Sequence, residues 1–323
     1  MNLTNLARSR ALVRLDGPGH IMPIEPVTPP DSKVWRVIHF PAMLAVCALG
    51  LLGAAVLGIK LLGVGFGYLT YVPGARYLVP LIGATAVILV YFIFVRIIER
   101  RRDFEELGTA GWLTEVALGF GGGLAMCLMV FAVQAAAGTV GIVGFNLSRE
   151  LLAPIVTQVC TAICLELVLR GLFFRLTERL LGSWMALLAS AAFFGGSALL
   201  SGMPTNSALA AGLQSGLLFA ALYMVTRRLW AAIGLHAAIG VAQVNLYGTG
   251  GLIASRVAGP DWLTGGAGGV DASLPGLAIT GLLVTALLAT AIRRGRIVRP
   301  IWRSGRSGPV AQPSFGHLSP WHT

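Results

Sequence analysis

Charge is scarce in this chain. Only 11% of its 323 residues are Asp, Glu, Lys or Arg, against about 25% in soluble domains. Hydrophobic residues make up 56%, and mean hydropathy is +0.79. A soluble globular domain is excluded, and the chain reads as a polytopic membrane protein whose spans, not its length, set its architecture. Acids are scarcer still, with 13 against 24 Lys and Arg. The bases fall between apolar runs with no interleaved aromatics on a soluble face, so no nucleic-acid module and no nucleic-acid partner is expected. Cysteine is rare as well. Cys47, Cys127, Cys160 and Cys164 all lie inside apolar runs, which excludes a disulfide framework of exposed loops. Cys160 and Cys164 share a helix face but lack neighbouring His or Cys, so no metal site is expected. No cofactor motif is present. The Gly-rich stretch "GPDWLTGGAGGVDAS" (259–273) lacks the strand, the Lys and the helix that a phosphate loop needs.

What is there is a series of apolar segments near the ~20 residues that a bilayer requires. They predict an all-α bundle of about eight transmembrane helices, at 37–59, 77–98, 114–137, 150–172, 184–202, 206–226, 230–248 and 275–292. Residues 1–34, polar and Pro-rich ("PIEPVTPP"), are expected to be a disordered cytoplasmic segment. Residues 35–292 form the transmembrane domain, and 293–323 a basic cytoplasmic tail. No signal-peptide pattern opens the chain, so the first span is expected to be an uncleaved anchor. Basic hinges lie at "RIIERRR" (96–102), "RLTER" (175–179) and "TRR" (226–228). With both termini inside, every Lys and Arg except Lys60, Arg76, Arg149 and Arg256 falls on the inner side. That bias predicts cytoplasmic termini, and a bacterial plasma membrane is the expected location. Glycine clusters such as "GFGGGLA" (119–125) are read as places where helices approach closely.

Ionisable residues inside spans are costly and mark candidate sites. Glu166 and Arg170 lie four apart in the fourth span and face one another on the helix. They form either a self-neutralising pair that fixes packing or a carboxylate poised to activate water. His236, in "LWAAIGLHAAIGVAQVN" (229–245), is either a packing hydrogen bonder or the partner of that carboxylate. Gln158, Gln214, Gln243 and Asn245 are polar companions, and Gln243 lies seven residues after His236 on the same face. Ser197 and Cys164 lack a neighbouring base that would make either a nucleophile.

At these residues the chain resembles the CAAX-processing and bacteriocin-processing (CPBP, or Abi) family of intramembrane proteases, over about 96–290. The family's Glu-Glu-x-x-x-Arg motif reads "LELVLRGLFFRLTER" here (165–179). Its Phe-x-x-x-His motif reads "SAAFFGGSA" (190–198), and its His-x-x-x-Asn or Asp motif reads "LWAAIGLHAAIG" (229–240). The loop "LTGGAGGVDASLPGL" (263–277) resembles the family's loop before its last span. In this register Arg170 is the motif arginine and Glu166 the second glutamate, while the first glutamate falls on Leu165. Phe194 is retained, its histidine partner falls on Ala198, and His236 is retained with its Asn partner falling on Gly240. The resemblance implies that the first glutamate and the second motif's histidine activate water, and that the third motif's His and Asn stabilise the oxyanion. Leu165, Ala198 and Gly240 remove three of those four groups.

The expected function is therefore a CAAX protease-like pseudoprotease, a membrane scaffold or binding protein in contact with a membrane protein partner or hydrophobic peptide. An active endopeptidase acting on membrane-associated or prenylated peptides is the alternative. It would use a rearranged Glu166/His236 site with Gln243 or Asn245 in support, and it requires Glu166 close to a His236 nitrogen. A transporter or channel is the third reading, and it requires a continuous polar path or inverted repeats with broken helices.

Overall fold

The computed structural model describes residues 74–99, 101, 103–147, 151–247 and 251–300, together with Val13–Leu15, Ile21–Pro23 and Gly50. The first expected span, the rest of the N-terminal segment and residues 301–323 lie outside the described residues. The chain divides into two units, Met1–Phe40 and Pro41–Thr323. In the first, β1 (Val13–Leu15) pairs antiparallel with β2 (Ile21–Pro23), Arg14 opposite Met22.

The second unit is a bundle of apolar helices. α1 (Ala75–Ile93) runs on through a wider π-helical turn to Ile98. α2 (Trp112–Ala136) leads into β3 (Val140–Phe145). α3 (Leu152–Leu181) widens to a π-helix over Leu169–Phe174. α4 (Ser183–Leu200) is followed by α5 (Thr205–Thr226), which widens over Gly212–Leu218. α6 (Trp230–Leu246), β4 (Ile253–Val257) and α7 (Leu274–Arg293) complete the unit. Six of these helices, α1 to α5 and α7, are long and apolar enough to cross a membrane, and α6 is a shorter apolar one. The protein is an integral membrane helix bundle, as its hydropathy required.

α6 is central as well as short. Its buried residues occupy every side of the helix, from Ala231 and Ala232 to Asn245 and Leu246, the pattern of a helix enclosed by others. α2 lies close against it because glycines remove the side chains between them. A Cβ on Gly123 would stand 2.7 Å from the carbonyl oxygen of Leu235. Cβ atoms on Gly119 and Gly234 would likewise collide with the backbone carbonyls of Ala231 and Val116. The glycine cluster of α2 thus acts as close-approach packing.

At one end of the bundle the basic hinges pair with acids. Arg175 reaches both carboxylate oxygens of Glu99 at 2.9 and 2.8 Å, and its Nε donates to the Gly171 carbonyl at 2.6 Å. Arg101 grips Glu106 at 3.0 and 2.8 Å, and the Tyr91 hydroxyl donates to the same carboxylate at 2.5 Å. Burial opposes ionisation of Glu106, but the Arg101 bonds, the Arg175 charge and the Tyr91 hydroxyl together outweigh it and hold the carboxyl below its ordinary range. Glu178 takes Arg227 and the Ser183 hydroxyl, and Arg228 meets Glu115 at 2.6 Å. Ser183 also pairs with the backbone of Val298, which fixes the start of the C-terminal tail against the α3–α4 turn. These pairs set helix ends and register more than they add net stability.

The opposite end carries a feature that the helical reading did not foresee. β3 and β4 pair antiparallel with a bulge between Ile142 and Gly144. They join the connection after α2 to the one after α6. Gln134 donates to the Leu263 carbonyl at 3.0 Å and Asn206 to that of Gly265 at 2.9 Å, so the Gly-rich loop lies across the helix ends.

Candidate functional site

Glu166 and Arg170 are both wholly buried. Arg170 Nη1 lies 3.2 Å from Glu166 Oε1, and His236 Nδ1 lies 2.8 Å from the same oxygen. The i,i+4 spacing on α3 sets the first contact, and the central position of α6 sets the second. The π-helical turns of α3 and α5 supply a third. They bring Arg170 opposite α5, where its Nη2 donates to the Ser215 carbonyl. Phe194 of α4 and Phe219 of α5 flank the guanidinium, with ring centroids 5.1 and 5.3 Å from its central carbon. Phe219 also stacks on the His236 ring at 4.6 Å with planes 23° apart. Aromatic faces favour a cation where water is excluded, so Arg170 is held by a carboxylate, a carbonyl and two rings. Glu166 Oε1 can only accept while its charge is matched by Arg170. Nδ1 of His236 therefore donates to it, and in the neutral ring this tautomer leaves Nε2 as an acceptor.

The positions around this triad are apolar. Leu165 packs with Cys164 and Phe194 against Val87, Val168 and Leu169, joining α3, α4 and α1. Ala198 is buried at the end of α4, where its carbonyl accepts from the Met203 amide at 3.0 Å. Gly240 has no side chain, and Gln158 of α3 lies over it. A Cβ there would stand 2.7 Å from Gln158 Oε1.

Residues 147–242 match the family model described as type II CAAX prenyl endopeptidase Rce1-like. Over these residues, under a third of the chain, the sequence is similar to that family. No curated protein and no solved structure matches the chain. The Rce1-like segment runs from just before α3 into α6 and holds Glu166, Arg170, Ala198, His236 and Gly240. It is narrower than the 96–290 suggested by resemblance.

Two residues considered as support for this triad are directed elsewhere. Gln243 donates to Asp271, and Asn245 bonds back to the Val241 carbonyl at 2.8 Å. Among the described residues no group of three or more His, Cys, Asp or Glu is placed to hold a metal ion. Cys160 is buried and Cys164 half-buried, both as free thiols.

Sequence reasoning passed over Ser215, Phe219 and Asp271. The first acts through its backbone carbonyl and the second is one apolar residue in an apolar run, so neither leaves a signal. Asp271, the one acid between Asp261 and the end of the described residues, was visible but lies in a Gly-rich loop without periodicity. Burial pushes its carboxyl up, and the Gln214 and Gln243 amides work against that rise. A raised carboxyl binds its proton more tightly in the folded state, so its contribution falls as pH rises from the ordinary range near ~4. Asp271→Asn keeps an acceptor for Gln243 and should flatten that part of the pH dependence. Thermal unfolding in detergent between pH 4 and 8 checks this; an unchanged slope would count against it.

Proposed function

We propose that this protein keeps the Rce1-like frame without its hydrolysis, and holds a membrane-associated or prenylated hydrophobic peptide rather than cutting it. Amide hydrolysis needs a base for water and donors for the oxyanion. The observation that carries the reading is the engagement of Glu166. Its carboxylate is wholly buried, and one oxygen is shared by Arg170 and His236. Leu165 and Ala198, at the positions that the resemblance gives to the water-activating pair, are apolar. The Glu166–His236 contact of 2.8 Å favours a second reading, an endopeptidase in which this pair serves as the base. That reading requires Glu166 to leave Arg170 and meet water. The end of the bundle where Arg175, Arg227 and Arg228 gather is assigned to the cytoplasm of a bacterial plasma membrane, with both termini there.

The experiment is direct. Purified protein in liposomes is incubated with a dansylated, farnesylated CAAX peptide, and bound and free fractions are analysed by mass spectrometry. Retention of the intact peptide is expected. Fragments from the wild type that disappear in Glu166→Gln would support the second reading instead.

A further inference from the structure

The carboxamide missing from position 240 is replaced across the helix interface. A Cβ on Gly240 would meet Gln158 Oε1 at 2.7 Å, its Cδ at 3.1 Å and its Cβ at 3.2 Å. Real Cβ atoms do not approach so closely, so one volume serves both positions and α3 fills it. Gln158 precedes Leu165 by seven residues, two turns along α3 and roughly 20° round its axis. It therefore stands on the face of Leu165, not that of Glu166.

Gly240 follows His236 by one turn of α6. The Gln158 carboxamide and the His236 imidazole thus sit one turn apart. Both keep hydrogen-bonding capacity. Gln158 is half-buried and makes no side-chain hydrogen bond among the described residues. His236 spends Nδ1 on Glu166, and its side chain remains 15% exposed while that of Glu166 is wholly buried. The pair presents one acceptor, His236 Nε2, and one amide donor, Gln158 Nε2.

In an extended peptide the N–H and C=O of one residue point to the same side, as in a hydrogen-bonded pair of an antiparallel ladder. We propose that His236 and Gln158 form a clamp for one residue of an extended hydrophobic peptide. The peptide N–H donates to His236 Nε2, and its C=O accepts from Gln158 Nε2. Leu165, two turns further along α3, packs toward Val87 and leaves no acid on that face. An amide lipid is a poorer fit, because the N–H and C=O of a single trans amide point in opposite directions. The inference rests on the peptide-holding reading and names the groups that do the holding.

The test uses the full-length protein in liposomes and the dansylated, farnesylated CAAX peptide, with depsipeptide analogues that each replace one N–H by an ester oxygen. Gln158→Ala should weaken binding of the intact peptide about tenfold, the worth of one hydrogen bond. One depsipeptide should show a similar loss with the wild type and no further loss with His236→Phe. Gln158→Ala combined with Gly240→Asn returns a carboxamide to the same volume and should regain affinity. Thermal unfolding of each variant separates misfolding from loss of the clamp. The proposal is overturned if Gln158→Ala binds as the wild type does, if no peptide binds the wild type, or if N-acyl sphingosine competes as well as the peptide. Cleavage of the peptide by the wild type would instead overturn the non-hydrolytic reading and leave a Gln158-dependent affinity standing.

Discussion

Arg170→Met should destabilise the protein by about 3–5 kcal/mol, the usual loss when one partner of a buried ion pair is removed. The change takes away the cation beside Glu166, the donor to the Ser215 carbonyl and the charge between Phe194 and Phe219. The double variant Glu166→Leu/Arg170→Met should recover most of that loss, because a buried pair exchanged for apolar residues is often neutral or stabilising. Thermal unfolding in detergent measures both. Arg170→Met unfolding with the wild type would mean that Arg170 does not hold α3 to α5. A double variant no more stable than the single one would mean that the two residues act separately.

Leu165→Glu with Ala198→His should create hydrolysis that the wild type lacks. Phe194 and position 198 are one turn apart on α4, and Phe194 and Leu165 pack against the same Val87, Val168 and Leu169 cluster. An acid at 165 and an imidazole at 198 would therefore face a common volume, on the side of α3 that also carries Gln158. General acid–base catalysis of this kind contributes about 10²–10⁴-fold, which sets the expected rate of cleavage of a fluorogenic prenylated peptide over the protein-free control. Introducing Glu into the Val87, Val168 and Leu169 cluster is a burden on folding, so unfolding is followed in parallel. A folded variant with no gain would show that more than these two groups separates this bundle from a hydrolase.

The bundle was legible in the sequence because bilayer-length apolar runs and the glycines of α2 are local signals. The Glu166–Arg170 pair was legible for the same reason, through its i,i+4 spacing. The approach of His236 was not contained in its own segment. It was required only by the alternative endopeptidase reading and is realised because α6 lies at the centre of the bundle. The β3–β4 pair was missed because it joins segments far apart in the chain. The π-helical turns of α3 and α5 depend on packing and leave no composition signal. The exchange between Gln158 and Gly240 was hidden for a related reason: a glycine and a glutamine on different helices explain each other only when superposed in space. Gln243 and Asn245 shared a helix with His236, but the loop that supplies Asp271 redirects the first and a backbone carbonyl takes the Nδ2 of the second.

The central claim is that Glu166 is a structural anion and not a base. The most direct measurement is the rate of prenylated-peptide cleavage by wild type and Glu166→Gln, purified side by side in liposomes and followed by mass spectrometry over many hours. The account predicts no cleavage above the protein-free control from either, with the peptide recovered whole from both. Cleavage by the wild type that Glu166→Gln abolishes, while its unfolding temperature is unchanged, would contradict it.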